Sequence, residues 1–336
     1  MTTQAQINIA NDSKSAPTAA NTLAGLKATP GCRALLDACT ARKDYTIRLG
    51  SELHGVQLKN LNDQQLEDLA RFVADRGVVF FRDQELTEQE HLAFGSRLGP
   101  LHVHPLNYGK KDTHPAVVPI VSNENSKNVA GEVWHSDVSS EPAPPAYSIL
   151  YMEKVPPAGG DTCFASAYAA YEKLSDTMQN ILEDKYAIHT NAVAHASIAK
   201  LSGANVQREF EYSRHPIVRT HAVSGLKALF VNQGFTTSIV GLHKEESTAI
   251  LNHLFDVISK GADIQIRFKW EANSVAIWDN RAVQHQAVWD YYPHARKGRR
   301  VTVVGEKPIH DVNGLKQSEA LGGLQPPPIW SRHLKL

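Results

Sequence analysis

The sequence predicts a mainly β fold, a β-sandwich or jelly roll buttressed by a few helices. Three observations point that way. Many short β-rich runs crowd the second half of the chain, only a few long amphipathic segments stand among them, and no regular repeat recurs. Neither a G-x-G-x-x-G following a strand nor a Walker A sequence is present, which argues against dinucleotide-binding and P-loop folds. At 336 residues length alone would allow two domains, but β enzymes of this size often form one. We expect a single domain over residues 31–312.

Residues 1–30 are rich in Ala, Thr, Asn and Ser and poor in large apolar side chains, the composition of a disordered arm. Leu66, Leu69, Ala70 and Val73 recur at helical spacing, with Gly77 as the expected cap, and Val78-Val79-Phe80-Phe81 reads as a buried strand. Thr87 and Glu90 form a capping box ahead of a second helix ending near Gly99. A third helix is written by Ile250, Leu251, Leu254, Phe255 and Ile258, with Gly261 closing it. Ile264, Ile266, Phe268 and Trp270 alternate with polar residues, and Ser274–Trp278 and Arg300–Val304 are further β-rich runs. Pro216–His221 and Leu229–Val231 flank a Ser-Gly turn as a hairpin would. The segment 313–336, with Gly-Gly and Pro326-Pro327-Pro328, reads as an irregular tail.

Lys plus Arg and Asp plus Glu both number 35, so the chain carries no formal charge. That balance argues against nucleic acid or an anionic membrane as the main partner. With 42% apolar and 21% charged residues the composition is that of an ordinary globular protein. No window reaches the roughly 18 apolar residues of a membrane span. The start lacks the basic residues and apolar run of a secretory signal, no Arg precedes Arg33, and the chain ends Leu-Lys-Leu rather than Ser-Lys-Leu. The three cysteines Cys32, Cys39 and Cys163 cannot build a disulfide framework or a zinc site. A cytoplasmic enzyme or binding protein is expected.

The chemistry gathers around Trp134-His135-Ser136-Asp137. On a strand or at its end an H-x-D pair presents both side chains to one side, two adjacent ligands for a borderline divalent metal. With 16 histidines in the chain such a pair also arises by chance. His285, directly after a predicted strand, supplies a third donor. Two histidines and one carboxylate form the facial triad of non-haem Fe(II) oxygenases and leave positions open for a chelating 2-oxo acid and for O2. A zinc hydrolase on the same donors needs one open position, for water, and a non-catalytic β-barrel binding protein needs none. Arg296 could grip a dicarboxylate through two parallel hydrogen bonds, or join Lys297, Arg299 and Arg300 in a solvated basic patch.

Taken together, Trp134-His135-Ser136-Asp137, Pro144-Pro145-Ala146-Tyr147, Gly159-Gly160-Asp161-Thr162, Trp278-Asp279-Asn280-Arg281, His285, Asp290-Tyr291 and Arg296 resemble the taurine/2,4-dichlorophenoxyacetate dioxygenase family. Their order and spacing fit from about residue 44 to 308. The resemblance implies a double-stranded β-helix (jelly-roll) core and an Fe(II)- and 2-oxoglutarate-dependent dioxygenase that consumes O2. It makes His135, Asp137 and His285 the iron ligands and assigns 2-oxoglutarate to Thr162 and Arg296. Trp134 and Trp278 become packing residues that keep water from the site.

The chain looks most like the taurine and alkyl-sulfonate members. That places His104, Asn107, Phe235 and Arg300 on the substrate. Asn107 stands where taurine enzymes usually carry an aromatic residue, and the expected Asn is missing before Trp134. The resemblance implies a small anionic substrate, an alkyl sulfonate such as taurine, oxidised to an aldehyde and sulfite. Hydroxylation or desaturation of an amino acid or biosynthetic intermediate is the alternative. Members of the family often form homodimers or tetramers.

Overall fold

Two β layers and a helical flank are what remain once each apolar face is followed to its partner. The computed structural model describes residues 33–107, 113–127, 129–192 and 205–322. The expected N-terminal arm and the triple proline fall outside these residues.

The strands are β1 (Ala41–Asp44), β2 (Ser51–His54), β3 (Val78–Phe81), β4 (Leu106–Asn107), β5 (Val117–Ser122), β6 (Tyr147–Lys154), β7 (Thr162–Ser166), β8 (Tyr186–Thr190) and β9 (Asn205–Val206). They continue with β10 (Tyr212–Pro216), β11 (Val218–Thr220), β12 (Lys227–Leu229), β13 (Thr236–Ile239), β14 (Gln265–Phe268), β15 (Ser274–Asp279), β16 (Val283–Ala287) and β17 (Arg296–Val303). A seven-stranded sheet runs β1-β2-β3-β15-β6-β17-β5, and a three-stranded sheet β14-β7-β16 faces it. Among the described residues only β2 and β3 pair in parallel; the other ladders are antiparallel.

Alternation decides which residues meet. On β3, Val79 and Phe81 join one apolar cluster while Val78 and Phe80 join another, and on β15 Val275 and Ile277 part from Ala276 and Trp278 in the same way. The first cluster is sealed by helices α1 (Ala34–Ala38), α2 (Asp63–Arg76) and α3 (Glu88–Leu98); the second lies between the sheets with Phe164, Ile266 and Phe268. Because both faces of the large sheet are covered, its central strands read as unbroken apolar runs. Helices α4 (Ala167–Glu172), α5 (Asp176–Leu182) and α6 (Lys244–Ser259) close a third cluster over β8, β11 and β12.

The expected helices and most strands are present, and the architecture is the jelly roll. Gly77 caps α2 at φ 71°, and Thr87 and Glu90 exchange hydrogen bonds as a capping box. Three details differ. The helix around Leu251 ends on Lys260, and Gly261 instead opens a short 3-10 turn containing Ile264, so β14 starts one residue later and stops before Trp270. The hairpin pairs Val218–Thr220 with Lys227–Leu229, two residues earlier on its second arm than expected. Beyond residue 312, Leu315 bridges Leu226 and a four-residue helix, α7 (Gln317–Ala320), buries Gln317 and Ser318.

Candidate active site

The H-x-D pair does not sit on a strand. His135 forms one isolated antiparallel bridge to His285, and Asp137 opens the turn that follows. The two histidines exchange both backbone hydrogen bonds, His135 N to His285 O at 3.1 Å and the reverse at 2.9 Å. That reciprocal pair sets the two rings side by side, with centroids 4.2 Å apart. Asp137 reaches back under them, so its Oδ1 lies 3.7 Å from His135 Nε2 and 3.9 Å from His285 Nε2. The three donors fall within 4.8 Å of one another.

The protonation pattern suits a metal. His135 Nδ1–H donates to Val133 O at 2.8 Å, which leaves the lone pair on Nε2 facing Asp137. Burial pulls both imidazoles below their ordinary pKa, although Asp137 opposes it, so both rings stay neutral. Burial alone would push the Asp137 carboxyl up. Arg300, then His285, His135 and the Ser148 hydroxyl outweigh it and hold the carboxyl well below the usual carboxylate range. Two neutral imidazoles and a carboxylate on one side of a buried cluster are the donor set of a divalent iron with open positions.

Asp137 is itself fixed. Ser148 Oγ donates to its Oδ2 at 2.6 Å, Asn280 Nδ2 donates to Ser148 Oγ at 2.9 Å, and Asp137 N donates to Asn280 Oδ1 at 3.2 Å. Trp278 Nε1 donates to the same Asn280 oxygen at 3.0 Å, and its ring packs 4.7 Å from that of His285. Ser148 is not among the residues the sequence singles out, and Asn280 stands in the Trp278-Asp279-Asn280-Arg281 motif without a role. The signal for Ser148 was there: a short serine hydroxyl inside the buried run Tyr147–Met152 needs a partner close by. Trp134 is buried in the helical-flank cluster beside Ala165 and Val231.

A second buried cation lies at the Gly159-Gly160-Asp161-Thr162 turn. Both glycines adopt φ 73°, and a Cβ on Gly159 would sit 2.3 Å from Asp290 Oδ1. The turn is held by Gly160 N donating to Asp290 Oδ1 at 2.8 Å, and by Arg267 bridging Asp161 and Asp290. Arg296 Nε donates to Gly160 O at 3.0 Å, and the guanidinium lies 5.9 Å from the Trp270 ring. The side chain is buried, and among the described residues no carboxylate pairs with it. Burial, opposed by Tyr291 and Asp161, pulls its pKa below the ordinary arginine value. Thr162 is buried at the start of β7, its Oγ1 accepting from Trp270 Nε1 at 2.9 Å. A buried guanidinium short of an anion, with a hydroxyl nearby on the same indole, has the chemistry to receive a carboxylate.

Arg300 is placed differently from the expectation of a free anion receptor. Its Nη1 donates to Asp137 Oδ1 at 2.6 Å, while its Nε is buried without a partner. Arg299 points to the opposite face, onto Glu153 and the Leu86 carbonyl, and is no rival for either anion. Phe235 is buried, with its ring 6.5 Å from that of His135. His104 is half-buried, and its Nδ1 is engaged by the Leu106 backbone at 2.9 and 3.1 Å. Asn107 pairs through its backbone with Asn205. Among the described residues no helix is long and apolar enough to cross a membrane.

Comparison with known proteins agrees with this geometry. Residues 41–302 match the model of the taurine catabolism dioxygenase TauD, TfdA family. A Schizosaccharomyces pombe protein named as a candidate alpha-ketoglutarate-dependent sulfonate dioxygenase is 39% identical over 304 residues, covering 88% of this chain and 78% of its own. The alpha-ketoglutarate-dependent sulfonate dioxygenase of Saccharomyces cerevisiae is 35% identical over 285 residues, covering 81% and 69%. The crystal structure of a taurine dioxygenase from Burkholderia xenovorans superposes with a TM-score of 0.69 at 32% identity, covering 82% of this chain and 94% of that one.

Proposed function

Because the chain belongs to the TauD/TfdA family of dioxygenases, we propose that His135, Asp137 and His285 hold its Fe(II), and that Thr162 and Arg296 hold its 2-oxoglutarate. Arg300, with His104, Asn107 and Phe235, receives a small anion of the alkyl-sulfonate class. The enzyme is an Fe(II)- and 2-oxoglutarate-dependent dioxygenase. The observation that carries the assignment is the single Asp137 oxygen facing two imidazole Nε2 atoms across a reciprocal backbone pair.

When bound, the iron couples decarboxylation of 2-oxoglutarate by O2 to oxidation of a substrate C–H bond. The protein does the rest. Val133 O sets the His135 tautomer, and Ser148 and Asn280 fix the carboxylate that the iron shares. The Arg296 fork and Thr162 hydroxyl hold the distal carboxylate of the co-substrate in a water-poor recess. Trp278 and Phe235 wall the site and limit wasteful oxidation of solvent-exposed groups.

Arg300 supports the sulfonate reading through its buried Nε, which has no partner beside the metal donors while its Nη1 stays on Asp137. The sulfonate dioxygenase relatives support the same class. Hydroxylation of the carbon beside sulfur gives a hydroxysulfonate, which loses sulfite to leave an aldehyde. The test is a panel of short alkyl sulfonates, with succinate and sulfite both quantified. Equimolar release of the two supports the reading. Coupled turnover on an amino acid or carboxylate with no sulfite moves the substrate to the alternative class, and 2-oxoglutarate-independent hydrolysis would remove the oxygenase assignment altogether.

A further inference from the structure

His104 rides on a short strap, anchored by the buried Leu106 and held from two sides. On one side His102 N donates to Thr302 O of β17 at 2.8 Å. On the other, residues 205–208 line the strap as a second strand. Leu106 and Asn107 pair with Val206 and Asn205, Gln207 N donates to Pro105 O at 2.8 Å, and Gln207 Nε2 donates to His104 O at 3.0 Å. Arg208 ends this zipper. Its Nε donates to Val103 O at 2.8 Å, and its Nη2 reaches Glu141 Oε1.

Glu141 is no ordinary surface acid. It is buried, His102 Nε2 lies 2.9 and 3.0 Å from its two carboxylate oxygens, and its carbonyl accepts from His215 Nε2 at 2.9 Å. It also closes the turn that begins at Asp137: Glu141 N donates to Val138 O at 3.1 Å, with Val138 at φ 43°. One guanidinium therefore touches the carbonyl next to His104 and the last residue of the turn that presents Asp137.

We propose that Arg208 is a positioning residue that clasps the His104 strap to the Asp137–Glu141 turn and so registers the substrate against the metal donors. This rests on the reading that His104 faces the substrate. The arginine fork is what makes the clasp, since it serves a carbonyl and a carboxylate in two directions, whereas a lysine can serve the charge alone.

The experiment compares wild type, Arg208→Met, Arg208→Lys and Glu141→Gln in the full-length enzyme. In Arg208→Met, amide hydrogen exchange should quicken across residues 102–107 and 205–208 while residues 131–137 and 283–287 keep their protection. The KM for a short alkyl sulfonate should rise by about tenfold, the scale of one lost charge-assisted hydrogen bond, with the KM for 2-oxoglutarate unchanged and the sulfite-to-succinate ratio reduced. Arg208→Lys should recover part of both effects. Unchanged exchange at 102–107 in Arg208→Met overturns the proposal, as does an equal rise in both KM values. If that variant does not fold, Glu141→Gln is read by the same criteria. Should wild type release no sulfite from any sulfonate, the substrate reading fails, and the exchange pattern still decides for or against the clasp.

Discussion

Replacing Arg300 with Met tests whether this arginine and the metal share one carboxylate. The Nη1–Oδ1 contact is 2.6 Å, and the two side chains are 11% and 4% exposed, so little solvent screens the pair. Removing one partner of such a pair costs about 3–5 kcal/mol, because the other charge stays buried. Relief is available here. Two imidazoles face the same oxygen at 3.7 and 3.9 Å, and either can take up a proton, so the low end, about 3 kcal/mol, is expected. At roughly 2 °C per kcal/mol for a chain of this size, the metal-free variant should melt about 6 °C below wild type. A divalent ion supplies the missing positive charge, so saturating Mn(II) should shrink that gap to about 2 °C, and Mn(II) should bind the variant more tightly than wild type. Thermal melts followed by circular dichroism, with and without Mn(II), and Mn(II) titration calorimetry read both effects. A deficit that Mn(II) leaves untouched would refute the shared-carboxylate argument and make Arg300 a purely structural ion-pair partner.

Arg296→Lys keeps the charge and loses the fork, so 2-oxoglutarate affinity should fall by about 1.5–3 kcal/mol in anaerobic titration of the Fe(II) protein; an unchanged affinity would pass the role to Arg300. Burial beside Arg299 pushes the His91 imidazole down to about 3, whereas in the unfolded chain it titrates near 6.5. Unfolding therefore takes up a proton below pH ~6.5, and stability declines from there towards pH 3 by about 1.4 kcal/mol per unit from this group. His91→Leu should narrow the difference in urea-unfolding free energy between pH 6.5 and 4.5 by about 2.3 kcal/mol, and an unaltered difference would show that the ring is not held neutral.

Much of this was legible in the sequence because it is local. Helix ends at Asn62, Thr87 and Gly77 are written by capping chemistry within a few residues, and the split of β3 and β15 between two clusters follows from period-two alternation. His135, Asp137 and His285 were found from residue type and family spacing. What stayed hidden depends on register between distant segments. Ser148 meets Asp137 because β6 packs beneath the turn, and nothing near either residue says so. The H-x-D geometry comes from a backbone bridge and a turn rather than a strand face. Arg208 and Glu141 lie 67 positions apart and carry no local mark of their pairing. Arg300 is a case where the residue was named and its partner was not: the resemblance set it toward the substrate, and tertiary packing gave it Asp137.

The reciprocal hydrogen bonds between His135 and His285 join positions 150 residues apart. A metal gripping both rings would therefore be a cross-link that exists only in the folded chain, and it would stabilise that chain by its binding free energy. The ion that equips the site for chemistry also ties the first half of the jelly roll to the second. Its loss in the cell would cost the enzyme its lifetime against proteases along with its turnover.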